Sequence, residues 1–269
     1  TAGNKLYGSV KIQTAKNSVL PILAAAVLTD EEVRILGAPH ISDVKSMVNI
    51  LASLGCATEY DGEDIVVDAS GADSCEIPRA LAHELRSSVF LLGPLIARFG
   101  RAKIAYPGGC DIGLRPVDLH LSGLKRLGVR IREKNGYILC DCKGLKGNEI
   151  MLDCPSVGAT ENIMLAAVGA EGETVIKNAA REPEIEDLQK FLNGIGAKVR
   201  GAGSGTVHIE GVASLGGGAF RPMADRIEAG TFLIAAAMCG GELVAVGISG
   251  ENKSSLLHKL RENGCKIYA

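Results

Sequence analysis

One pattern recurs four times in this 269-residue chain, so the fold it adopts must repeat as well. The segments MVNILASLGCATEY, LHLSGLKRLGVRIRE, LQKFLNGIGAKVRG and LLHKLRENGCKIYA each read as a helix, a tight turn and a strand. Their aligned glycines are Gly55, Gly128, Gly196 and Gly264, separated by 73, 68 and 68 residues. Glycine is the expected residue just past a helix, where the backbone turns left-handed.

Upstream of each copy lies a second, very apolar helix followed by a strand. The four stretches are NSVLPILAAAVLTDEEVRILGAP, SSVFLLGPLIARFGRAKIAYPGG, ENIMLAAVGAEGETVIKNAAREP and GTFLIAAAMCGGELVAVGISG. The first three units end in a further strand: EDIVVDAS, YILCDC and TVHIEG. Each unit therefore reads helix–strand–helix–strand–strand. Helices as apolar as 19–28 are buried nearly all round. The pattern predicts an α/β fold with helices inside and sheets outside, unlike an open doubly wound sheet. The fourth unit stops at Lys266-Ile267-Tyr268-Ala269 without its partner strand, which leaves an unpaired edge. The expectation is a complete three-unit domain over residues 15–222. Residues 1–14 and 223–269 would then form part of a second domain, in a chain that is a fragment or ends unusually early. Arg221-Pro222, after the Gly216-Gly217-Gly218 run, is the expected crossing point.

Composition excludes several function classes. The net charge is −2 and aromatics make up 4%, with no Trp, so neither a basic field nor a stacking surface for nucleic acid is present. No apolar run reaches the roughly 18 residues of a membrane span, and TAGNKLYGSVKIQ does not read as a signal peptide. The eight cysteines are spread through a core-rich sequence, which favours a reducing cytoplasm over a disulfide scaffold. Cys140 and Cys142 form a C-x-C in a strand-like run, a spacing that makes a poor metal clamp.

The run YPGGCDIGLRPVDLH (106–120) carries the strongest chemical signal. Two glycines precede Cys110, and Arg115-Pro116 leads into a helix beginning near Val117. Arg115 offers a planar fork of donors suited to phosphate or carboxylate. A thiol on a glycine-rich loop beside an arginine reads either as a reactive cysteine over an anionic substrate or as a structural cysteine on a tight turn. Lys16-Asn17 and Arg86 stand at corresponding places, just before the apolar helices of the first two units. Helix-start amides add positive potential there, although in isolation such a pair is more commonly a solvated lysine and a helix cap. The histidines form no obvious triad. His120 follows the Arg115–Leu119 run, whereas His40, His83, His208 and His258 read as structural or solvated.

Six runs in order carry a family resemblance: AKNSVLPILAA (15–25), LRSSVFLLGPLIARFG (85–100), PGGCDIGLRPVDLH (107–120), SVGATENIM (156–164), NAAREPEIEDL (178–188) and DRIEAGTFL (225–233). Across its whole length the chain resembles the enolpyruvyl transferases that act on UDP-N-acetylglucosamine. The resemblance implies an inside-out α/β barrel of two domains built from six such units, with the active site between the domains. It implies transfer of enolpyruvyl from phosphoenolpyruvate to the 3′-hydroxyl of UDP-N-acetylglucosamine with release of phosphate, by addition then elimination, with no cofactor or metal. Cys110 then matches the loop proton donor, which also bonds covalently to phosphoenolpyruvate. Lys16, Asn17 and Arg115 match phosphoenolpyruvate contacts. Arg86, Arg115, Pro116, Val117, Asp118, Leu119, Ser156, Val157 and Gly158 match contacts to the UDP-sugar. Arg181, Glu182 and Glu184 fall on a charged loop that reads as a solvated turn without the family. Asp225, Arg226 and Glu228 read either as ordering the interdomain cleft or as capping the helix that follows.

Three departures from the family pattern stand out. Thr14 replaces a glycine before Ala15-Lys16-Asn17, and Ala224 replaces a proline before Asp225. The family also continues through two further units that carry an aspartate general base and another phosphoenolpyruvate-binding arginine. Two alternatives to the main reading stay open: a noncatalytic nucleotide-sugar-binding remnant, and the related 3-phosphoshikimate 1-carboxyvinyltransferase. The PGGC loop and the RPVDLH segment argue against the latter.

Overall fold

The repeat becomes visible in how the strands pair. The computed structural model describes residues 4–107, 117–248 and 255–268. Contacts divide the chain into two units, residues 16–222 and residues 1–15 with 223–269. Strand β1 (Leu6–Lys11) belongs to the second of these.

In the larger unit the first repeat is α1 (Lys16–Ala25) with a 3-10 turn, β2 (Val33–Ile35), α2 (Ser42–Ser53), β3 (Ala57–Asp61) and β4 (Asp64–Asp68). The second is α3 (Arg79–Glu84), a 3-10 segment (Arg86–Leu91), α4 (Leu92–Phe99), β5 (Arg101–Ala105), α5 (Asp118–Arg126), β6 (Arg130–Lys134) and β7 (Tyr137–Asp141). Strand β8 (Glu149–Met151) ends this repeat, and the third is α6 (Val157–Ala167), β9 (Glu173–Lys177), α7 (Pro183–Gly194), β10 (Lys198–Arg200) and β11 (Thr206–Glu210). Strand β12 (Gly218–Phe220) follows.

Each repeat builds one sheet with the same logic. Its first strand pairs antiparallel with its third, and the third with its second, giving β2-β4-β3, β5-β7-β6 and β9-β11-β10. A short strand from the end of the preceding repeat then joins parallel to the first strand: β8 on β9, and Glu76 bridged to Lys103 on β5. The third case closes a ring, because β12 after the last repeat pairs parallel with β2 of the first. The last glycine of the Gly216–Gly218 run thus opens a strand, and the boundary between the two units falls after Pro222.

Burial follows the expected inside-out order. Eight of the ten α1 residues and nine of the eleven α6 residues are buried. The strands alternate instead: Ile65, Val67, Ile138, Cys140, Val207 and Ile209 point inward, while β3 and β6 are largely exposed. Helices α4 and α5 approach α6 at glycines. A Cβ on Gly93 would lie 2.4 Å from the Asn162 carbonyl, and one on Gly123 would lie 2.2 Å from Ile163 Cδ1.

All four repeat glycines sit where the pattern puts them, with φ of +93° at Gly55, +95° at Gly128, +103° at Gly196 and +85° at Gly264. Each closes the same pair of bonds. The Gly55 N–H donates to the Ala52 carbonyl and the Cys56 N–H to that of Leu51; equivalent pairs follow Gly128, Gly196 and Gly264. This is the Schellman arrangement, which satisfies carbonyls left over at a helix end and sets the residue after the glycine against the last turn.

The second unit contains α8 (Arg226–Cys239), β13 (Gly241–Val246) and α9 (Ser255–Glu262). Here β1 and β13 pair in parallel from Leu6 opposite Gly241 to Lys11 opposite Val246. Asp225 caps α8, accepting from the Ile227 and Glu228 amides at 2.8 and 3.0 Å. The departures at Thr14 and Ala224 face each other in an antiparallel bridge. Hydrogen bonds from the Ala15 and Asp225 N–H groups to Met223 and Gln13 flank that bridge.

Candidate active site

Within the larger unit the starts of three helical segments converge around His120. The 3-10 segment begins at Arg86, α5 at Asp118 and α6 at Val157. Arg86 is close enough to His120 to disfavour charge on its imidazole, and Asp118 opposes that effect. His120 stacks on Phe90 with ring centroids 6.5 Å apart. A Cβ on Gly158 would fall 3.0 Å from both His120 Cε1 and Phe90 Cε1, so the glycine lets the first turn of α6 come up to both rings. Ser156 is the N-cap of α6, accepting from the Ala159 amide at 3.3 Å. Arg86, Val117, Asp118, Leu119, Ser156, Val157 and Gly158 thus lie on three elements that converge around His120. Cys110, Arg115 and Pro116 lie outside the described residues.

Lys16 and Asn17 open α1, which packs against α6, α7 and the 3-10 segment. The Lys16 amine is ion-paired with Asp43 in the first turn of α2 at 2.8 Å. Ser18 donates its hydroxyl to Asp187 of α7, and the Ala180 amide donates to the Thr160 hydroxyl of α6 at 3.1 Å. The starts of α1, α6 and α7 are therefore tied by side-chain bonds. Amides at helix starts carry partial positive charge and suit phosphate groups.

A second feature of this region is acidic. Arg181 is exposed, as a solvated turn would have it, but Glu184 is only 2% exposed and Asp187 of the helix that follows only 5%. Glu161 is buried completely, and neither carboxyl oxygen has a hydrogen-bond partner among the described residues. Burial, then the nearby Glu184 and Glu182, hold its carboxyl well above the usual carboxylate range. A neutral Glu161 avoids setting a third negative charge beside those two.

Two cysteines are buried in the core. Burial pushes the Cys56 thiol up to about 11 and that of Cys140 up to about 12, which suits packing and not nucleophilic work. His120 moves the opposite way: burial first, then Arg86, bring it down to about 4. Sequence reasoning passed over Glu161, Asn162 and Asp187. The signal for the first two was a Glu-Asn pair inside an otherwise apolar run, ENIMLAA.

The EPSP synthase (3-phosphoshikimate 1-carboxyvinyltransferase) family model matches residues 1–269. The chain belongs to that family. Its curated relatives include UDP-N-acetylglucosamine 1-carboxyvinyltransferase 2 of Caldanaerobacter subterraneus subsp. tengcongensis, 55% identical over 265 residues. UDP-N-acetylglucosamine 1-carboxyvinyltransferase 1 of Symbiobacterium thermophilum is 52% identical, and the Yersinia pestis enzyme of the same name is 48% identical. Each match covers 98% of this chain and 62–64% of the relative, so the chain spans less than two thirds of their length. Among solved structures, the enolpyruvyl transferase NikO from Streptomyces tendae superposes with a TM-score of 0.78 at 26% identity, covering 90% of this chain and 58% of that one. EPSP synthase from Acinetobacter baumannii also reaches 0.78, at 19% identity over 98% of this chain and 61% of that one, which shows the shared fold. The enolpyruvyl transferase fold thus accounts for the inside-out α/β repeat.

Proposed function

We propose that the protein represented by this chain transfers the enolpyruvyl group of phosphoenolpyruvate to the 3′-hydroxyl of UDP-N-acetylglucosamine, releasing phosphate. The observation that carries this reading is the name shared by relatives at 48–55% identity across nearly the whole chain. The reaction needs cations and helix-start amides for a highly charged substrate pair, together with an acid. Arg86 and the Ser156–Gly158 turn supply contacts for the sugar nucleotide, with Val117, Asp118 and Leu119 beside them. Lys16, Asn17 and Arg115 hold phosphoenolpyruvate, and Arg115-Pro116 also borders the nucleotide. Cys110 delivers a proton to C3 of phosphoenolpyruvate while the hydroxyl attacks C2 and gives its own proton to the general base that the family provides; removal of a C3 proton then re-forms the C2–C3 double bond as the C2–O bond to phosphate breaks. The step draws on no cofactor or metal. The product is a precursor of peptidoglycan, and the reaction belongs to the cytoplasm. No helix among the described residues is long and apolar enough to cross a membrane.

The family model bears the 3-phosphoshikimate name, so the acceptor is the property to test. Phosphate release from phosphoenolpyruvate should depend on UDP-N-acetylglucosamine and disappear in Cys110→Ala. Release with 3-phosphoshikimate instead would reassign the acceptor. Binding of the UDP-sugar without release from either pair would favour a noncatalytic binding role.

A further inference from the structure

Asn162 is fully buried in α6, and backbone groups engage its amide at both ends. Its Oδ1 accepts from the Gly93 N–H at 2.7 Å, and its Nδ2 donates to the Val89 carbonyl at 2.9 Å. A backbone N–H only donates and a carbonyl only accepts, so these partners decide which end of the amide is nitrogen. The same Nδ2 lies 3.1 Å from Nδ1 of His120. Its second hydrogen therefore meets a ring nitrogen that must carry a lone pair. In the neutral ring the proton is then on Nε2. A charged ring would place N–H against N–H at this contact.

The surroundings of the ring agree with this. Burial first and then Arg86 of the 3-10 segment oppose charge on the imidazole, and Asp118 on the ring's own helix favours it less. The 3-10 segment otherwise presents Val89 and Phe90 to this cluster, and α6 presents Asn162 and Gly158. Glu161, the neighbouring acid on α6, is coupled to Glu184 and Glu182 at the α7 start. The opposite edge of the ring faces the first turn of α6: a Cβ on Gly158 would lie 3.2 Å from Nε2.

We infer that Asn162 is a positioning residue that locks His120 as the neutral Nε2–H tautomer, making the imidazole an uncharged hydrogen-bond donor at the Ser156–Gly158 turn beside Arg86. This rests on reading that turn as part of the sugar-nucleotide site. The two side chains divide the work by chemistry. Arg86 supplies charge for phosphate, and His120 supplies a neutral donor for a carbonyl or hydroxyl oxygen of the ligand. Binding at this edge then needs no histidine protonation across about pH 5 to 8.

The test is a two-bond proton–nitrogen NMR spectrum of the chain labelled with 15N-histidine, with His120 assigned by its absence in His120→Gln. The expected His120 pattern is a protonated Nε2 and a bare Nδ1, unchanged across about pH 5 to 8. A protonated Nδ1, or titration near the ordinary histidine value of 6.5, would overturn the inference. Asn162→Asp places an acceptor opposite Nδ1, so the proton should move there and affinity for UDP-N-acetylglucosamine should fall about tenfold. Adding UDP-N-acetylglucosamine to the unsubstituted chain should shift the Nε2 signal. Binding by calorimetry with no such shift would overturn the donor role while leaving the proposed function intact. Absence of binding would contradict the proposed function, while the proton position in the free chain still decides the tautomer.

Discussion

Glu161 shows how much one buried side chain contributes to pH dependence. Below the ordinary value of 4.5 its carboxyl is protonated in both folded and unfolded chains. Above that pH the unfolded chain releases the proton while the folded chain keeps it. The folded state then binds more protons, and stability falls as pH rises, until the folded carboxyl itself ionises. Glu161→Gln removes this term. The stability of Glu161→Gln relative to the parent should therefore increase with pH above 4.5, with a slope of at most about 1.4 kcal/mol per pH unit. Urea unfolding at several pH values measures it, and a difference independent of pH would contradict the assignment. The sequence carried a faint trace of this residue, a charged and an amide side chain within ENIMLAA, but nothing local could reveal that both face a crowded helix junction. The carboxylates that raise Glu161 come from the start of α7, across a loop and a strand. His120 was legible only as a neighbour of a motif. Its tautomer depends on Val89, Gly93 and Asn162, which no spacing rule brings together.

At the scale of elements the sequence was far more informative, because the features concerned are local. The four repeat glycines end their helices by bonds spanning six residues, so a short window contains the whole motif. Substitution should expose a graded cost. Gly196 has φ +103° and nothing within 4 Å of an added Cβ, so Gly196→Ala carries only the left-handed backbone penalty of about 1–2 kcal/mol. Gly55 has φ +93° and would also bring Cβ within 2.8 Å of the Gly71 carbonyl oxygen. Gly55→Ala should therefore cost more than Gly196→Ala in urea unfolding at equal pH; equal costs would show that the Gly71 loop yields freely. Short strands were harder to read. Residues 218–220 look like linker because two glycines precede them, yet a parallel partner from the first repeat makes them a strand. That pairing joins the two ends of the unit, which no local pattern encodes.

At the scale of the molecule, the three-fold repeat explains why candidate residues far apart in sequence share one region. Equivalent first-helix starts return to equivalent places, so Arg86 and Ser156 arrive together without local contacts in the chain, and Asp118 joins them from the start of the second repeat's other helix. Periodicity made that arrangement readable, while the chemistry of the region depended on the family motifs, above all the loop that bears Cys110. The central claim is that these helix starts bind a UDP-sugar. Calorimetric titration of UDP-N-acetylglucosamine into the chain and into Arg86→Ala tests it most directly. The account predicts measurable binding that weakens about tenfold or more when Arg86 is removed, as expected for a charge-assisted contact. Equal affinity in both proteins, or heat only with 3-phosphoshikimate, would contradict it.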